Sequence, residues 1–250
     1  MQTLHSAKLG LIAQQNRMSV IADNMANVST PGHKSQRADF KDALYTQILN
    51  PAELDRTGLE QGTGVLMAAT NCDFAQGTVL STGESLDMYI DGDGYFCIAD
   101  IDGTVTYTRN GAFAISDEAD GNWLVNANGR YVLDENMNRI SIPENAKEIS
   151  VSADGTLTAD GAVLGRLGIV TFVNRNGLES AGSSLYRATE ASGEPQPSNS
   201  VVRQGGLEAS NVNVAVEMTR LIRAQKAFAM ASRAASVWDE MAATTNNLRT

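Results

Sequence analysis

The sequence is poor in aromatics, cysteine and histidine, and it carries no excess of positive charge. Phe, Trp and Tyr make up 6% of the 250 residues, too few bulky anchors for one large compact core, while 42% of the chain is hydrophobic. Part of that apolar content is therefore expected to be used between chains. Cys72 and Cys97 are the two cysteines and have no CxxC spacing, which argues against a disulfide framework or a zinc site and favours buried free thiols. The two histidines, His5 and His33, belong to no HExxH pair, so a Ser-His-Asp or Cys-His centre lacks support. No apolar run approaches the ~18 residues a membrane helix needs, and no transmembrane segment is expected. The start, Met1-Gln2-Thr3-Leu4-His5-Ser6-Ala7-Lys8, has no basic region followed by an apolar stretch, so no cleaved secretory signal is expected either.

The formal net charge is −10 and the pI about 4.7, which argues against a partner held through phosphate backbones. No nucleic acid is expected. The charge is unevenly spread: residues 71–206 hold 19 of the 29 acidic and 8 of the 19 basic side chains, a net of −11, which leaves +1 for the two ends together. The acidity belongs to the middle of the chain.

The ends share a period of seven. Leu4, Leu11, Met18 and Met25 recur by sevens, with Ala7, Gln14, Ile21 and Val28 offset by three, an a/d pattern over residues 1–30. Thr30-Pro31-Gly32 should stop that helix, because the residue before proline is driven out of the α region. From Asn213 to Leu248 there is no Gly or Pro. Val214, Leu221, Phe228, Ala235 and Ala242 repeat by sevens there, with Ala224, Ala231 and Trp238 at plus three. Ser210, Asn211 and Asn213 are possible N-caps. At ~1.5 Å per residue the second helix would exceed 50 Å, more than a small domain can cover alone.

Between the helices the pattern changes to period two with tight-turn residues. Leu86–Ile90, Tyr95–Ile98, Ile101–Tyr107, Ala112–Ile115 and Leu164–Val173 are separated by turns such as Asp91-Gly92, Asp93-Gly94, Asn110-Gly111, Asp154-Gly155 and Asp160-Gly161, a pattern of antiparallel strands. Residues 33–75 are ambiguous: Phe40–Leu49 could be helical, and Gly58–Gly64 reads as an exposed loop.

Motifs that carry chemistry are weak. Asp91-Gly92-Asp93-Gly94 starts like a calcium loop, but Tyr95 takes the fifth place and Asp102, a shorter acid than glutamate, the twelfth. No GxxxxGK and no GxGxxG opens a helix. The expectation is a protein that is not an enzyme, with no catalytic residue, cofactor or metal.

The termini carry a resemblance. Ser6-Ala7-Lys8-Leu9-Gly10-Leu11-Ile12-Ala13-Gln14-Gln15-Asn16-Arg17-Met18 and Val20-Ile21-Ala22-Asp23-Asn24-Met25-Ala26-Asn27-Val28-Ser29-Thr30-Pro31-Gly32-His33-Lys34 resemble the N-terminal signature of the flagellar rod and hook axial proteins. Leu207-Glu208-Ala209-Ser210-Asn211-Val212-Asn213, with Glu217-Met218, Leu221-Ile222 and Gln225-Lys226-Ala227-Phe228, is similar to the other end of that family. The middle, notably Leu86–Phe96, Tyr107–Phe113 and Thr171–Tyr186, resembles a distal rod member, with a proximal rod member as the alternative. A secreted β-domain adhesin or binding module is the more distant reading. His33 stands where the family usually has an aromatic residue, and Asp23 replaces a common Asn.

The resemblance implies a basal-body rod subunit, located outside the cytoplasm and spanning the periplasm where an outer membrane exists. It also implies export through the flagellar type III apparatus and partnership with copies of itself and with other rod and hook proteins. The chain is expected to be α+β: an antiparallel β domain (76–207) inserted between long coiled-coil-like helices (1–32 plus 208–250), with 33–75 as a connecting segment. In a hollow helical tube the helices would form an inner layer and the β domain an outer one. The residues expected at helix seams between subunits are Leu4, Leu11, Met18, Ile21, Met25, Val28, Val214, Leu221, Phe228, Ala231, Ala235 and Trp238. Without those partner surfaces the terminal helices should be loosely formed in the monomer.

Overall fold

The computed structural model describes residues 2–48, 59–100, 102–118, 121–144, 146 and 148–247. The chain divides into two compact units, one made of 1–26, 36–73 and 213–250, the other of 27–35 and 74–212.

In the terminal unit, helix α1 (Gln2–Ala26) packs on helix α2 (Val214–Asn247) and on a hairpin of strands Gln36–Asp42 and Val65–Cys72. The helices have 25 and 34 residues, hence lengths of ~37 and ~51 Å. α1 ends at Ala26, earlier than Thr30-Pro31-Gly32 suggests. Just before that end, Asn24 turns its amide to the backbone of Gln36, donating to the carbonyl and accepting from the N–H, both at 2.8 Å. α2 starts where Asn213 Oδ1 accepts the N–H of Val216 at 3.2 Å, capping one of the donors that a helix start leaves open.

The hairpin replaces the helix considered for Phe40–Leu49. Phe40 lies in the first strand opposite Met67, and Tyr45–Ile48 pairs with Leu59–Gly62, so residues 59–62 of the stretch read as an exposed loop are a strand; residues 49 and 58 lie outside the described residues. Phe40, Ala43, Leu44 and Ile48 do have the three- and four-residue spacing of a helix stripe, and pairing across the hairpin overrides that local signal.

In the β unit every described strand pair runs antiparallel. The largest sheet has ten strands and is crossed near its centre by Tyr95–Ala99, whose five residues are all buried. Successive side chains of a strand point to opposite faces. Phe96 and Ile98 join an aliphatic core with Met88, Leu124, Val132, Leu157 and Val202. On the other face Tyr95 meets Phe74, Phe172 and Tyr186 edge to face, with centroids 5.8–6.3 Å apart. The few aromatics are thus concentrated in this unit rather than spread along the chain.

Candidate assembly surface and its buried anchor

On α2 the row repeating by sevens is the covered one. Leu221, Phe228, Ala231 and Ala235 are half-buried, and Ala224, at 3% exposure, is fully packed. Val214 and Trp238, at the two ends of the row, are exposed. On α1, Ile21 is buried and Leu11, Met18 and Met25 half-buried; Val28, also half-buried, lies beyond the helix end, and the side chain of Leu4 lies outside the described residues. The shorter α1 can cover only part of α2, by about nine residues less than its full length.

Three residues outside the expected set are among the most buried on the helices: Ala13, Asn24 and Glu217. Asn24 and Glu217 are polar side chains enclosed on the helices, each held by a hydrogen bond. Glu217 occupies the plus-three position of the Val214 heptad and accepts a 2.6 Å bond from Arg220 in the first turns of α2, where the helix dipole favours a carboxylate. Off that row α2 mixes apolar and polar side chains: Met218, Ile222, Met230, Val237 and Met241 are 48–66% exposed, alongside the exposed Arg220, Arg223, Lys226 and Arg233.

The β unit contains a buried charged cluster that no local motif announced. The Glu208 carboxylate lies 2.5 Å from Lys34 Nζ and 3.2 Å from Arg109, and the three side chains are at most 2% exposed. Lys34 Nζ also donates to the carbonyl of Ala75 at 2.7 Å, and Arg109 donates to that of Gly92 at 2.7 Å and lies over the Tyr95 ring. Glu208 Oε1 accepts from the N–H of Gly77 at 2.9 Å, and the Glu208 carbonyl accepts from the N–H of Gly32 at 2.7 Å. Asn211 finishes the join, accepting from the N–H of Ser35 at 2.7 Å and donating to the Ala75 carbonyl at 3.0 Å.

Two glycines make the approach possible. Gly32 has φ +69°, and a Cβ there would come within 2.5 Å of the Asn110 nitrogen; a Cβ on Gly77 would come within 1.9 Å of the Ala209 carbonyl oxygen. Lys34 and Glu208 are 174 residues apart, which is why periodicity and spacing could not pair them.

The remaining candidates are structural. Asp91 ends strand Met88–Asp91 and Asp93 lies in the bend before Tyr95–Ala99, a connection between two strands that do not pair with each other rather than a hairpin turn; the two carboxylates pair with Arg203 and Arg175, and among the described residues no group of three or more metal-binding side chains is found. Cys97 is buried and its thiol is pushed up to about 12 by desolvation; Cys72 is half-buried and raised by the same cause. His33 is buried, and the side chain of His5 lies outside the described residues. Among the described residues no helix is long and apolar enough to cross a membrane.

The chain thus comprises a pair of terminal helices and an antiparallel β unit, with no polar constellation described above that carries chemistry. Residues 4–34 match the family described as flagella basal body rod protein, residues 89–159 the flagellar hook protein FlgE/F/G D1 domain, and residues 203–248 the flagellar basal body rod FlgEFG protein C-terminal family. The chain is 37% identical to the flagellar basal-body rod protein FlgG of Buchnera aphidicola subsp. Acyrthosiphon pisum, with 96% of each chain covered. It is 38% identical to FlgG of Agrobacterium fabrum over 97% of each, and 35% identical to FlgG of Bacillus subtilis over 100% of this chain and 99% of the relative. The chain belongs to the flagellar basal-body rod protein family. It is a structural subunit of the basal body and not an enzyme. Lys34, Arg109 and Glu208 fall one in each of the three matched segments.

Proposed function

We propose that the chain is a subunit of the distal rod, exported by the flagellar type III apparatus and polymerised into a hollow helical tube that transmits torque. The observation that carries the polymer is α2: its heptad row is occupied within the chain, while Met218, Ile222, Met230, Val237 and Met241 remain exposed. Neighbouring copies that covered them would gain about 1.5–3 kcal/mol for each large side chain fully buried. One such contact repeated without closing generates a filament.

In this reading Leu4, Leu11, Met18, Ile21, Met25, Val28, Val214, Leu221, Phe228, Ala231, Ala235 and Trp238 are the residues proposed at helix seams between subunits, and the exposed flanking side chains of α2 add to those contacts. The full-length similarity to proteins named FlgG supports the distal position. Other rod and hook proteins would be the axial partners at the two ends.

Met230→Asp combined with Val237→Asp tests the polymer. The purified chain should keep its helix content by circular dichroism, while electron microscopy of isolated basal bodies should show rods missing or cut short. Rods of normal length and number would sink the proposal. A tag on the subunit, gold-labelled in those basal bodies, should mark the hook side of the rod; label confined to the membrane side would make the chain a proximal subunit.

A further inference from the structure

The charged cluster joins segments that are far apart in the chain, and its members are not equivalent. Glu208 is the shared one: one carboxylate oxygen receives Lys34 and the N–H of Gly77, and the other receives Arg109. With Lys34 removed, Arg109 and Glu208 still form a pair. With Glu208 removed, two cations face the same enclosed space, where charge is tolerated only when compensated.

We propose that this cluster is a closure lock within the β unit: residues 27–35 seat in that unit only when Glu208 has taken its place. Glu208 ends strand Gly206–Glu208, which pairs with Val79–Ser81 and directly precedes the start of α2. The seating of the segment after the first helix therefore waits for the strand that introduces the second. The lock is independent of rod position and of polymerisation.

The test is hydrogen exchange on the full chain. The readout is the amides of Gly32 and Ser35, whose acceptors are the Glu208 backbone carbonyl and the Asn211 side chain and so survive a change at the carboxylate. The Cys97 amide, bonded to the Gly168 carbonyl, serves as the internal control. Glu208→Gln should speed exchange at Gly32 and Ser35 by about 100-fold or more and leave the control within about threefold, whereas Lys34→Met should change the same amides by less than about tenfold. The double variant Lys34→Met with Glu208→Gln should recover much of the protection lost in Glu208→Gln alone, because one of the two opposed cations is gone. Equal effects of the two single changes, unchanged exchange in Glu208→Gln, or a double variant as open as the sum of the singles would overturn the lock. If Glu208→Gln gives no folded chain, the double variant must still fold, and its failure also overturns the lock.

Discussion

At the residue scale, the decisive side chains are buried polar groups that the apolar pattern does not mark. Asn24 sits in α1 at 1% exposure and serves the strand backbone at Gln36 with both ends of its amide. Asn24→Ala should cost about 2 kcal/mol, since it leaves a buried backbone N–H and C=O without partners; chemical denaturation followed by circular dichroism checks this, and a loss within 0.5 kcal/mol would count against the role. Cys97 allows a prediction with a fixed sign. Its thiol ionises near 9.0 when unfolded and is pushed up to about 12 in the fold, so its contribution is fully present below pH 9 and is lost as the pH rises toward 12. Above pH 9 the stability gap between the native chain and Cys97→Ala should narrow by up to about 1.4 kcal/mol per pH unit. Melting curves of both proteins from pH 8 to 11 measure it, and a constant gap would exclude the thiol as the cause. Gly32→Ala should destabilise the β unit by about 1–3 kcal/mol through its positive φ and its contact with Asn110, read from the same denaturation curves.

At the element scale, α2 depends on its start and on its cover. Asn213 is the cap selected from three polar candidates, because Asn211 is engaged with Ser35 and Ala75 and Ser210 bonds the Val212 N–H. Asn213→Ala should cost about 1 kcal/mol of helix stability, seen as faster exchange of the first-turn amides, whereas Asn211→Ala should loosen residues 33–35 instead. The end of the helix, where Val237, Trp238 and Met241 are exposed, should exchange fastest in dilute monomer and become protected in assembled rods. The period of seven made the covered face of α2 legible in the sequence, apart from its two ends. The hairpin of residues 36–72 was not legible, because its strands are short, half-exposed and held by pairing across an interval that no local pattern spans.

At the whole-molecule scale, the division of charge coincides with a division of structure. The acidic middle forms the β unit with its own aliphatic and aromatic core, and the nearly neutral ends form the helical unit. A core of about 70–205 is what composition alone suggests for limited proteolysis. The structure extends it, since Lys34 and Glu208 are buried inside the β unit. Brief trypsin digestion should therefore leave residues 27–35 bound to a fragment that reaches at least Val212, detected by mass spectrometry under native conditions; loss of that segment from an intact β core would contradict the buried join.

What the amino-acid order determined by itself is everything that repeats over short distances. The period of seven placed two helices at the ends, the period of two with Asp-Gly and Asn-Gly turns placed an antiparallel domain between them, and the signatures at both termini pointed to an axial rod subunit. What only the tertiary structure decided is which distant residues meet. Lys34, Arg109 and Glu208 each look solvated in their own stretch of sequence, and they become a single buried cluster because strand pairing brings three remote segments together, closely enough that each charge is held by the others instead of by water.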